Sequence, residues 1–295
     1  MTMICEVGTR DGLQNLGRHF SVAEKRHMLM ELHAAGLRHF EAVSMVNPAR
    51  VPQMAGAEEL LASLPDLPDS ILSALALNWR GADRALATRI DELRFAIVAS
   101  DTFCQRNQNM TSAESITEFA AITPAVRAAN RMVVAVIATA YGCPFEGEIS
   151  GTRVADMTEA ALRAGADQIV FADTIGVAAP RDILRVHHAC KQVLGATTWG
   201  IHLHNTRNTG YANLITALQC GATVVDSAIG GLGGCPFAPA VTGNIATEDV
   251  NYLLQREGIE TGVDHDRLTR LIEWLSTRVP EKITGQLSRA GWFPA

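Results

Sequence analysis

Residues 166–174 read ADQIVFADT, and residues 197–205 read TTWGIHLHN. Each is a short apolar run closed by polar residues, and between them Pro180–Val193 has the spacing of an amphipathic helix. The pattern repeats at once. Gly210–Gln219 reads as a helix, Cys220-Gly221 ends it, and Ala222–Ala228 reads as the next strand. Working outward, further strands are expected at Met3–Val7, Arg38–Val43, Ile71–Leu75, Leu93–Val98 and Met132–Ala138. Helices are expected at Val22–Ala35, Ala49–Leu64, Ala82–Thr88, Ala113–Ala129 and Arg153–Ala164. Several strand runs are continuously apolar rather than alternating, as strands buried on both faces are.

Eight strands alternating with helices, about 31 residues apart on average, match a (β/α)8 TIM barrel better than an open doubly wound sheet. No G-x-G-x-x-G opens a helix after the first strand, which weighs against a dinucleotide-binding half. The whole of 1–295 is expected to form one barrel domain. Residues from about 246 to 295, including Glu248–Glu257 and His265–Ser276, would form a helical extension after strand eight. Ala35-Gly36, Ala164-Gly165 and Cys220-Gly221 each end a helix with the residue best suited to a left-handed C-terminal turn. Ser21, three before Glu24, predicts a capping box, and Ser112 before Ser115 predicts a second N-cap.

Composition excludes several classes. The chain of 295 residues carries 25 basic and 31 acidic side chains, a net charge of −6, which disfavours nucleic acid as the partner. Six cysteines without a C-x-x-C pair do not make a disulfide framework. No apolar run approaches the roughly 18 residues of a membrane span. Neither terminus reads as a targeting or lipidation signal, so a cytoplasmic protein without a membrane partner is expected.

In such a barrel the chemistry sits at the C-terminal ends of the strands, and unusual polar residues collect there. They are Arg10 and Asp11 after strand one, Glu41 on strand two, Asp173 on strand six, His202 and His204 on strand seven, and Cys235 and Asn244 after strand eight. His202 and His204 share one strand face; with Asp11 they suggest a divalent-metal site, although H-x-H alone is equally two polar residues near a strand end. Two imidazoles fit Zn, Mn, Co or Fe(II), and oxygen ligands with open positions fit Mg or Mn. Arg10 reads either as a rim ion pair or as a guanidinium placed to stabilise an enolate or carboxylate. The glycine-rich run Gly230–Cys235 sets a thiol on a loop where it could donate a proton, or it forms a phosphate-binding turn. Cys5, Cys190 and Cys220 read as small core residues; His33, His39, His187 and His188 read as surface or packing residues.

These residues resemble the 3-hydroxy-3-methylglutaryl-CoA lyases, within the metal-dependent barrel lyases, synthases and aldolases. The matching segments are Glu6–Asn15, Val51–Met54, Gly142–Gly147, Asp173–Val177, His202-x-His204, Gly231–Phe237 and Gly243–Asp249. The resemblance implies a divalent cation, Mg or Mn, on Asp11, His202, His204 and Asn244. It implies Arg10 at the product enolate and Cys235 as proton donor, with Asp11, Glu41, Asp173 and Glu248 needed for activity. Substrate contacts are expected from Arg10, Gln14 and Arg207. The implied substrate is an acyl-CoA, cleaved to acetyl-CoA and acetoacetate by a homodimer or larger homo-oligomer. Thr9 stands where these lyases commonly have Pro, and Asn205 where many have Asp. Near the metal, such departures keep two further readings open: a lyase for a related branched 3-hydroxyacyl-CoA such as citramalyl-CoA, and an acetyl-CoA-dependent Claisen synthase. A barrel retained only for binding would have lost some of these strand-end groups.

Overall fold

The computed structural model describes residues 2–234 and 243–293; Cys235 lies outside them. Eight parallel strands close into a barrel: β1 (Met3–Glu6), β2 (His39–Ser44), β3 (Ile71–Ala76), β4 (Glu92–Val98), β5 (Met132–Ala138), β6 (Gln168–Asp173), β7 (Trp199–Leu203) and β8 (Val224–Ser227). Closure is direct, with β1 pairing β2 on one side and β8 on the other. Helices α1 (Val22–Ala34), α2 (Ala57–Ser63) and α3 (Trp79–Leu86) follow the first three strands. Then α4 (Asp101–Gln108) and α5 (Ser112–Ala128) follow β4. The ring continues with α6 (Gly151–Ala164), α7 (Pro180–Leu194), α8 (Gly210–Gln219) and α9 (Thr247–Arg256). Helices α10 (His265–Ser276) and α11 (Leu287–Ala290) follow. None of the described helices is long and apolar enough to cross a membrane.

All eight expected strands form, because each carries side chains that both the helix ring and the barrel interior bury. Gly36, Gly165 and Gly221 adopt φ of +103°, +101° and +92°, as the helix ends require. Ser21 and Glu24 form the expected capping box.

Three local expectations need correction. Helix α2 begins only at Ala57: Pro52 starts a short 3-10 turn, and Gly56 at φ +76° breaks the run before it. The N-cap of α5 is Thr111 rather than Ser112, with Glu114 completing the box. The sequence also hides α4 and the small hairpin pairing Gly142–Cys143 with Gly147–Glu148, whose short polar runs carry no periodic apolar signal.

The barrel floor departs from the branched apolar filling usual in this fold. His39, Glu41, Glu92, Arg94 and Asp226 all point inward and are each about 1% exposed. They form one connected layer directly beneath the strand ends.

Candidate active site and metal centre

The segment after β1 is a single π-turn, Gly8–Gly12, in which Gly12 N–H donates to the Val7 carbonyl five residues back at 3.1 Å. Wide turns of this kind recur at functional sites. Arg10 donates both to its neighbour Asp11 and, through Nη2, to Glu41 at 2.8 Å. Gly8 is needed here because a Cβ would meet Glu6 Oε1 at 2.5 Å.

Strand β7 delivers the two imidazoles. His202 Nε2 and His204 Nε2 lie 3.2 Å apart, and Asp11 Oδ2 lies 3.5 Å from His204 and 4.0 Å from His202. One ligand atom from each of Asp11, His202 and His204 falls within 4.8 Å of the other two. Asn244 arrives from the segment after β8, pinned beside β7 by a bridge to His204. Its amide donates to Asp11 Oδ2 at 2.8 Å and to the Leu232 carbonyl at 2.9 Å. The four expected ligands are thus brought together, from β1, β7 and the segment after β8.

These residues fit a divalent cation on two counts. Asn244 Oδ1 is buried with no hydrogen-bond partner, a state costing about 1–3 kcal/mol that a cation would relieve. In addition, three buried carboxylates, Asp11, Glu41 and Asp226, are linked among the described residues to only two guanidinium groups, those of Arg10 and Arg94. A cation at the Asp11 end would offset this surplus negative charge. Burial opposes ionisation of Asp11, but the Arg10 guanidinium and the imidazoles outweigh it and hold the carboxyl well below its usual range.

Above this cluster lies a cavity of about 140 Å³. Its lining carries the polar Arg10, Asp11, Gln14, Glu41, Asp226, His202 and His204. It also carries the apolar Leu75, Leu77, Val98, Phe103, Val136 and Ala138, together with Asn107 and Gln108. Gln14 Oε1 is buried without a partner, so the amide is available to a ligand. Such a lining suits a small molecule that has both oxygen atoms and an apolar part.

The remaining expected site residues hold loops rather than line the cavity. Asp173 accepts the Val177 and Ala178 N–H groups at 2.9 and 3.0 Å, and burial pushes its pKa up. Glu248 is fully buried, and its Oε2 accepts the Gly230 N–H at 2.9 Å. Burial pushes its pKa to about 8. Arg207 Nη1 donates to the Ile175 and Gly176 carbonyls at 3.1 and 2.9 Å, tying the β7–α8 loop to the β6–α7 loop. The glycine-rich run has a clear cause: Gly230 and Gly231 sit at φ +68° and +67°, and Gly233 at φ +136° lies so close to Asn244 Nδ2 that no Cβ fits.

Sequence reasoning missed Glu6, Glu92, Arg94 and Asp226. Glu6 accepts the Gly8 and Ile229 N–H groups, and burial pushes its pKa to about 7. The available signal was a charge inside an apolar strand: Glu92-x-Arg94 has the two-residue period of one strand face.

Fold and site together define a (β/α)8 barrel with a polar strand-end cavity and a metal-type donor set. Residues 2–275 match the HMGL-like family model. An (R)-citramalyl-CoA lyase from Chloroflexus aurantiacus is 37% identical over 98% of this chain and 94% of its own. The mitochondrial hydroxymethylglutaryl-CoA lyase of Macaca fascicularis is 37% identical over 97% of this chain and 88% of its own. An HMG-CoA lyase from A. baumannii, solved in complex with coenzyme A and 3-methylmalate, superposes with a TM-score of 0.93 at 34% identity, covering 100% of this chain and 98% of that one. The chain belongs to the HMGL-like family of carbon–carbon lyases.

Proposed function

We propose that the protein cleaves 3-hydroxy-3-methylglutaryl-CoA to acetyl-CoA and acetoacetate, using Mg or Mn. The observation carrying this reading is the convergence of Asp11, His202, His204 and Asn244 beside Arg10, at a cavity lined by both polar and apolar side chains. A bound divalent cation would polarise the substrate's tertiary hydroxyl and fix its geometry.

The chain's own residues supply the rest. Leu75, Val98, Val136 and Ala138 accommodate the methyl branch, and Gln14 offers a polar contact to the acyl chain. Transfer of the hydroxyl proton to Asp11, or to a group the cation would hold, lets the C–O electrons form the new ketone while the C2–C3 bond breaks. The bonding pair moves onto the departing thioester as an enolate. Arg10 lies where that negative charge develops, its guanidinium already oriented by Asp11 and Glu41. Protonation of the enolate carbon completes acetyl-CoA, a role we assign to Cys235 from its place in the sequence alone.

A second reading is favoured by the Chloroflexus relative: citramalyl-CoA, shorter by one methylene, would give acetyl-CoA and pyruvate. Incubating the metal-loaded protein with each thioester separately, and identifying the ketone by mass, decides between them. Faster release of acetoacetate supports the first reading; pyruvate released at least tenfold faster would replace it with the second.

A further inference from the structure

We infer that Asp226 and Arg94, buried in the barrel floor, are positioning residues that set the orientation and tautomer of His202 and align it with Arg10. The inference rests on the metal-site reading above and concerns residues that act through His202 and Arg10.

Asp226 lies in register between Cys5 of β1 and His202 of β7. Its Oδ2 is 3.2 Å from His202 Nδ1. Arg94 Nη2 donates to both Asp226 oxygens at 3.0 Å, so the guanidinium also holds the oxygen that faces His202. Arg94 Nη1 reaches Glu41 Oε2 at 3.3 Å, and that same oxygen accepts Arg10 Nη2 at 2.8 Å. One guanidinium therefore joins the two working ends of the site, through Asp226 to His202 and through Glu41 to Arg10.

The consequence is chemical as well as geometric. A carboxylate accepts only, so His202 must donate its Nδ1–H to Asp226, which leaves the Nε2 lone pair facing Asp11 and His204. In Asp226→Asn the amide oxygen remains with Arg94, which can only donate, and the NH2 turns toward His202. The imidazole then accepts at Nδ1 and carries its proton on Nε2, where a cation would bind.

Mn2+ binding to the chelator-stripped full chain, followed by calorimetry and by EPR of free Mn2+, tests this without turnover. Glu92→Gln is the control: it removes the same charge from the same buried layer, and Glu92 approaches Arg94 Nε at 3.8 Å, but it touches neither His202 nor Arg10. We expect Asp226→Asn to weaken Mn2+ by about 10- to 100-fold. Glu92→Gln should leave it within about threefold. Equal weakening in both variants, or none in Asp226→Asn, overturns the inference. Failure of the unaltered protein to bind Mn2+ overturns the metal reading instead. If Asp226→Asn does not fold, 15N-histidine NMR of the chelator-stripped parent serves: the Nδ1–H tautomer at His202 supports the inference and the Nε2–H tautomer refutes it.

Discussion

Replacing Glu248 by Gln should change how stability depends on pH. The carboxyl is fully buried, its Oε1 has no partner, and its pKa rises from the ordinary 4.5 to about 8. Below pH 4.5 the folded and unfolded chains both hold the proton, and burial is not penalised. Between 4.5 and 8 the folded protein keeps a proton that the unfolded chain has released, so stability falls as pH rises. At about 1.4 kcal/mol per unit, the loss between pH 5 and pH 8 is about 4 kcal/mol from this group. Glutamine resembles the protonated acid at every pH and removes the dependence. Urea unfolding of parent and Glu248→Gln at pH 5 and pH 8 reads the difference directly. The variant should lose several kcal/mol less than the parent across that interval. Equal losses, within about 1 kcal/mol, would refute the claim that Glu248 is buried as an acid beneath the Gly230 turn.

Other expectations follow from the same geometry. Gly233→Ala places a Cβ against Asn244 Nδ2 and should weaken Mn2+ binding about tenfold by displacing that ligand; unchanged affinity by calorimetry would remove Asn244 from the donor set. Arg10→Met should lower kcat by about 10²- to 10³-fold with a smaller change in KM, since its interaction strengthens as the enolate forms. An equal rise in KM at constant kcat would make Arg10 a ground-state contact only. Arg207→Ala should cost about 1 kcal/mol in urea unfolding, because its Nη1 holds two loop carbonyls. A tenfold change in preference between the two acyl-CoA substrates would instead return Arg207 to the substrate.

The barrel itself was legible because its strands are buried on both faces, so each appears as an apolar run bounded by helix caps. The donor set was legible because strand ends must carry the chemistry: Asp11, His202, His204 and Asn244 stand out where the apolar pattern stops. What the sequence concealed was contact across the barrel. Arg94 and Asp226 are 132 residues apart and meet only when the sheet closes. Likewise, Glu248 is expected at the site from the family resemblance and Arg207 from its place after a strand end, but their hydrogen bonds go to loop backbone. Proximity along the chain does not tell a group facing the cavity from one supporting its wall.

The most direct test is a single-turnover assay. Protein stripped of metal by chelation is mixed with 3-hydroxy-3-methylglutaryl-CoA, and acetyl-CoA is followed by mass before and after Mn2+ is added. The account predicts release only after Mn2+, and none from Asp11→Ala with or without it. Equal release from the stripped protein, or no release from the loaded one with either candidate thioester, would contradict metal-dependent carbon–carbon cleavage at this site.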